Sequence, residues 1–201
     1  SKGEPPTPGN LRLLAGKPAF WIMVVLFSLA ISSSMGVYNM ITLYLVTERG
    51  IDRSLANTLV SLSRFPVLAV ALVSGWVSDR FGTKPTLAAA LLFSGLMTIL
   101  LGTLPDRWAI LMLFLQPVMT ICFFPAGFTV LSQIVPKSAR NLSVSLTVLI
   151  AYLIGGGLVP TALGIFGDAG AFSLAFAVIG TCILLSSLLV PGLKIREEDE
   201  G

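Results

Sequence analysis

Charged residues divide this chain into six long apolar runs. They extend from Pro18 to Val46, Leu55 to Val77, Pro85 to Leu104, Trp108 to Val135, Leu142 to Phe166 and Ala171 to Val190. A helix crossing a hydrocarbon core needs about 20 apolar residues, and each run is long enough. None reads as the alternating segment of about ten residues that a barrel strand requires. The pattern predicts an all-α membrane protein, a six-transmembrane-helix bundle. The connections at Glu48-Arg49-Gly50 with Asp52, at Pro105-Asp106-Arg107 and at Gly167-Asp168 are short and turn-like. Consecutive helices are therefore neighbours, and the six form one domain over residues 18–190. A proline-rich, charged lead-in of residues 1–17 reads as a linker, and residues 191–201 as an acidic tail. With Ser1 at its start and no cleavable signal pattern, the chain reads as a piece of a longer protein.

Polar residues inside the runs are not evenly shared. The first run carries Ser28, Ser32, Asn39 and Thr42 at helical spacing, with Tyr38 and Tyr44 nearby; the second carries Asn57, Ser61, Arg64, Gly75 and Ser78. Gln116, Thr120 and Gly127 mark the fourth, interrupted by Pro117 and Pro125, and the fifth holds Ser145, Tyr152, Gly155-Gly156-Gly157 and Pro160. The third and sixth are plainer. Broken, polar helices are tolerated at membrane depth where they line a cavity or are buried in protein. Runs one, two, four and five are thus expected around a polar cavity, with three and six facing lipid.

Arg64 is the one ionisable side chain well inside a run. On insertion scales arginine there costs about 2.5–3.5 kcal/mol, so it is expected to face the cavity. Two roles fit it: binding an anion, which its planar fork suits, or a structural one, snorkelling outward or bonding backbone carbonyls near Pro66. The candidate ligand-binding set is Arg64 with Tyr38, Asn39, Ser61, Gln116 and Tyr152.

Composition agrees with the bilayer and narrows the chemistry. The 201 residues are 55% hydrophobic and 11% charged, with mean hydropathy +0.90, against roughly 25% charged in soluble domains. With the N-terminus inside, nine of the 13 Lys and Arg fall on the inner side and Arg49, Arg53 and Arg107 on the outer, Arg64 completing the total. That asymmetry places both termini in the cytoplasm. There is no histidine, so imidazole metal sites and histidine general bases are excluded. No run holds the paired carboxylates that intramembrane aspartyl chemistry needs, and an enzyme is not expected. Cys122 and Cys182 fall within apolar runs and read as packing residues. No cofactor or metal is expected, and nucleic acid is not an expected partner.

Between the second and third runs lies GWVSDRFGTK, from Gly75 to Lys84. Gly75, Asp79, Arg80, Gly82 and Lys84 fill the pattern Gly-x-x-x-Asp-Arg/Lys-x-Gly-x-Arg/Lys, on a cytoplasmic turn. On these residues the chain resembles the major facilitator superfamily, with Thr83 departing where that family often has a basic residue. The basic turn Pro136 to Arg140 and the glycine-rich fifth run are similar to the family's pattern as well. The resemblance covers nearly the whole chain, as the C-terminal six-helix half: helices seven to twelve, two inverted three-helix repeats. It implies a secondary transporter moving a small solute by rocker-switch alternating access. The partners it implies are the solute, the N-terminal six-helix half and the lipid bilayer of a plasma or bacterial inner membrane. Gly75 to Lys84 would then be a gating motif. Arg64 favours an anionic solute; the alternative is a drug or metabolite efflux carrier, which Phe123, Phe124 and Phe128 would suit.

Overall fold

The structure, a computed structural model, describes residues 8–193. The expected linker and acidic tail fall partly on residues 1–7 and 194–201, including Lys2, Lys194, Arg196 and Glu197 to Glu200, which lie outside the described residues. Six helices of 21 to 30 residues are long and apolar enough to cross a membrane: α1 (Pro18–Thr47), α2 (Arg53–Phe81), α3 (Thr83–Thr103), α4 (Asp106–Gln133), α5 (Arg140–Asp168) and α6 (Phe172–Gly192). A short helix, Pro8–Ala15, precedes them and buries Leu14. No strand occurs among the described residues.

Local chemistry sets the helix starts. Pro18 opens α1, where a missing N–H is no loss. Asp52 caps α2, its carboxylate accepting from the N–H groups of Ser54 at 2.9 Å and Leu55 at 3.2 Å. Lys17 Nζ donates to the Ile134 carbonyl at 3.0 Å, placing a cation on the end of α4.

Proline sets two of the breaks. It has no N–H for the carbonyl four residues earlier. In α2 the regular helix stops at Leu62, four residues before Pro66; in α4 it stops at Ile121, four before Pro125. In α5 a π turn, Tyr152–Leu158, stands just ahead of Pro160. The π turn of α1, Ser32–Gly36, holds no proline. There Ser32 Oγ donates to the Ser28 carbonyl at 2.7 Å and Ser34 Oγ to that of Ile31 at 3.3 Å, a back-bonding that bends helices.

Packing reveals an internal symmetry. α1 lies along α5, α4 lies along α2, and α3 packs on α6. Exchanging α1–α3 for α4–α6 converts the first pair into the second and leaves the third unchanged. Three crossings per unit is an odd number, so the second unit starts on the opposite side: the bundle is two inverted three-helix repeats. Glycines allow the close crossings. A Cβ on Gly95 of α3 would stand 2.7 Å from the Gly180 carbonyl oxygen of α6, and one on Gly155 of α5 would stand 2.6 Å from the Ser28 carbonyl oxygen of α1.

The interior is layered. One apolar cluster, around Phe27, Leu91, Phe123 and Leu131, fills one end, and another, around Tyr44, Leu101, Leu113 and Phe176, fills the other. Between them, at mid-span, sit the buried polar residues Ser33, Ser94, Thr98, Gln116 and Thr120. This corrects the expectation that the third helix is a plain lipid-facing one. Ser94 and Thr98, one turn apart, lie on the α3 face turned towards α1 and α4. The helices with the least buried apolar windows are instead α2 and α5, at 22% each.

Candidate functional site

Arg64 stands just after the break in α2, at mid-span, and is half-buried. Its guanidinium lies over the ring of Tyr38, 3.5 Å from the centroid, and Nη2 donates to the Ser34 carbonyl at 3.4 Å. Stacking on an aromatic face holds a cation without neutralising it. One hydrogen bond uses one of five guanidinium donors. Carboxylates of the described residues lie only at helix ends or in turns: Glu48, Asp52, Asp79, Asp106 and Asp168. Of the two roles the sequence leaves open, the carbonyl contact is present, but to Ser34 across the interface with α1 rather than near Pro66.

Of the six candidate ligand-binding residues, the structure brings Arg64 and Tyr38 into contact. Asn39, next to Tyr38, and Ser61, one turn before Arg64, are exposed. Tyr152 is exposed on α5. Gln116 is buried on α4, where its amide donates to the Ser33 carbonyl at 3.0 Å and to Ser33 Oγ at 2.6 Å. It therefore belongs to the polar layer behind the Arg64–Tyr38 pair. No group of metal-ligating side chains occurs among the described residues.

At the α2–α3 turn a single residue, Gly82, connects the helices, with φ at 89°. That backbone region favours glycine. The Gly82 carbonyl accepts from Thr86 Oγ1 at 2.8 Å and from Thr86 N–H at 3.2 Å. Arg80 is exposed and lies over Trp76, 5.3 Å from the ring centroid. Asp79 is exposed and Lys84 half-buried. Among the described residues nothing lies within 4 Å of a Cβ placed on Gly75.

The opposite end holds a charged cluster that the sequence presents only as a turn. Arg49 Nη1 lies 2.9 Å from Asp106 Oδ1 and Nε donates to the Tyr44 hydroxyl at 2.7 Å. Nη2 donates to the Leu101 and Gly102 carbonyls at 3.4 and 3.2 Å, in the last turn of α3. Beside it, the Glu48 carboxylate accepts from the N–H groups of Phe172 and Ser173 and from the Ser173 hydroxyl, at the start of α6. Each charge opposes the partial charge of the helix end it meets. Burial works against the Arg49 cation, but its hydrogen bonds and charge interactions with Tyr44 and Asp106 outweigh it, and its pKa lies above the ordinary arginine value. A cavity of about 640 Å³ opens here, lined among others by Glu48, Arg49, Asp106 and Ser173. One signal was available: α6 begins at Phe172 after Ala171, with no capping side chain of its own.

Comparison with known proteins places this geometry. Residues 20–201 match the Major Facilitator Superfamily. A protein of Cupriavidus necator named "Probable sulfoacetate transporter SauU" is 27% identical over 143 residues, covering 71% of this chain and 33% of the relative. The inner membrane transport protein YnfM of Escherichia coli is 29% identical over 190 residues, covering 90% of this chain and 44% of the relative. A crystal structure of the peptide transporter POT, a mutant in complex with sulfate, superposes with a TM-score of 0.75 at 18% identity, covering 92% of this chain and 41% of that one. The chain thus spans less than half the length of these three proteins.

Proposed function

The chain belongs to the Major Facilitator Superfamily and is a multi-pass membrane protein, and from that premise we propose that it forms the C-terminal six-helix half of a secondary transporter for a small anionic solute. The shares of 33–44% that it covers of its relatives fit one half of a longer carrier. The Lys and Arg asymmetry supports an orientation with both ends in the cytoplasm, and a relative named for the inner membrane supports a bacterial plasma membrane.

One observation carries the anion reading. Arg64 sits at mid-depth, stacked on Tyr38 and hydrogen-bonded to one carbonyl, and the carboxylates of the described residues stand at helix ends or in turns. An anion arriving at this depth would find a cation already desolvated in part, with donors to spare. The relative named for sulfoacetate agrees in charge. In proteoliposomes of the full-length carrier, Arg64→Ala is expected to lower anion uptake at least about tenfold, and Arg64→Lys to restore little of it, since an ammonium lacks the fork. Unchanged uptake by Arg64→Ala removes the anion reading.

Rocker-switch movement requires two halves that rotate against each other. The exposed apolar faces of α2 and α5, with Leu68, Leu72, Leu153 and Leu158, and the open space beside Gly75 supply a surface for the missing half. Asp79 and Arg80, exposed at the α2–α3 turn, would engage that half in one access state and release it in the other, the differential contact a two-state equilibrium needs. Asp79→Ala is expected to impair transport several-fold with expression largely intact; near-normal transport in proteoliposomes would refute the gating role of this turn. For the efflux alternative, Phe123, Phe124 and Phe128 lend no separate support. They pack around Phe27 at ring-centroid distances of 5.1 to 6.4 Å.

A further inference from the structure

Arg64 and Gln116 never touch, yet both hold the same turn of α1. A π turn shifts the backbone hydrogen-bond register by one residue, and a buried carbonyl that loses its backbone donor needs another. Ser33 and Ser34 are consecutive residues of the π turn Ser32–Gly36. The Ser33 carbonyl accepts from Gln116 Nε2 at 3.0 Å, on the inner side, and the Ser34 carbonyl from Arg64 Nη2 at 3.4 Å, on the other. Gln116 also fixes the Ser33 hydroxyl at 2.6 Å, and that oxygen lies 2.9 Å from Ser94 Oγ and 3.0 Å from Thr120 Oγ1. The turn ends on Gly36, where a Cβ would stand 2.9 Å from the Gly155 carbonyl oxygen in the π turn of α5. Two residues beyond Gly36 comes Tyr38, on whose ring Arg64 rests.

We infer that Gln116 is a positioning residue for Arg64: from α4 it pins the π turn of α1, and the pinned turn places the carbonyl of Ser34 and the ring of Tyr38 that hold the guanidinium. Gln116 then shapes anion affinity without meeting the anion. The inference rests on the reading of Arg64 as the anion site. It also explains a polar residue in a layer that aliphatic side chains could fill. A buried amide with several short contacts specifies one register of the helix it touches, whereas leucine would tolerate several.

The test is a double-mutant cycle in the full-length carrier, reconstituted in proteoliposomes, with sulfoacetate as the probe anion. KM, Vmax per folded carrier and melting temperature are measured for wild type, Gln116→Leu, Arg64→Ala and the double variant. Gln116→Leu is expected to raise KM about tenfold with Vmax per folded carrier held, and to add nothing in the Arg64→Ala background, because residues acting through one another are not additive. If Gln116→Leu does not fold, Gln116→Asn, which keeps the amide one methylene short, takes its place with an expected rise in KM of roughly three- to tenfold. Multiplying effects in the double variant, or a fall in melting temperature with KM unchanged, would overturn the positioning role and leave the Arg64 site standing. An Arg64→Ala carrier with wild-type KM would overturn both.

Discussion

Gly95→Ala is expected to destabilise the bundle by about 2 kcal/mol, and Gly95→Leu to leave no folded protein. A lone methyl rarely does this in a helix, where alanine is favoured over glycine by about 1 kcal/mol. At Gly95 the new carbon would stand 2.7 Å from the Gly180 carbonyl oxygen and 2.8 Å from Leu184 Cα, and all of these are backbone atoms. No side chain can rotate away, so α3 and α6 must separate along their whole contact. Overpacking typically costs about 1–3 kcal/mol, more where backbones must move, and it outweighs the propensity gain. Gly164 of α5, with nothing within 4 Å of its Cβ position, supplies the control: Gly164→Ala should be neutral or slightly stabilising. Fluorescence-detected melting of detergent-solubilised protein separates the two. A Gly95→Ala melting temperature at or above wild type would mean that the α3–α6 crossing is looser than the structure has it.

Arg49→Ala is the second large effect, about 2–4 kcal/mol, because it removes several hydrogen bonds of a charged group at once, even though Tyr44 keeps its own bond to the Leu101 carbonyl. Tyr44, the carbonyls of Leu101 and Gly102, and Asp106 would each lose a donor. Glu48→Ala should follow at about 1–3 kcal/mol, since it leaves the Phe172 and Ser173 N–H groups at the head of α6 without their acceptor. Asp106→Asn should be the mildest, below about 1 kcal/mol. The Asp106 side chain is 64% exposed, against 14% for Arg49, and exposed ion pairs contribute little. The ranking is the test. If Asp106→Asn equalled Arg49→Ala in a melting series, the ion pair would be the source of stability rather than the hydrogen bonds to α3.

The six spans were legible because charge is costly in hydrocarbon, so the charged residues of this chain mark the span ends almost without exception. Of the two prolines expected to interrupt the fourth run, Pro125 follows a break and Pro117 lies inside a continuous stretch of helix, Asp106–Ile121; the break ahead of Pro66 was not read from the sequence. The resemblance to the family was carried chiefly by five residues of one turn, and Gly82 with its positive φ shows why one of them is glycine. What could not be read was which residues meet across helices. Ser94 and Thr98 look like incidental polar residues in a plain helix, and only the crossing of α3 with α1 and α4 makes them part of a layer. Gln116 looked like a ligand contact because polarity in a membrane helix marks a protein-facing side, and polarity alone cannot separate a cavity wall from the interior behind it. The π turn in α1 had no proline to announce it. The Glu48–Arg49 cluster escaped because its partners lie up to 125 residues away, beyond any local pattern.

That separation bears on how the protein is made. Glu48 leaves the ribosome 124 residues ahead of Phe172, an interval of about 6–25 s at 5–20 residues per second. Through that time the carboxylate at the end of α1 has no N–H groups to receive and must stay hydrated. Insertion of α1 to α5 therefore proceeds with this end of the bundle unfastened, and arrival of α6 is what closes it. A chain arrested before α6 would leave the Glu48 carboxylate without the Phe172 and Ser173 N–H groups that it receives in the finished bundle.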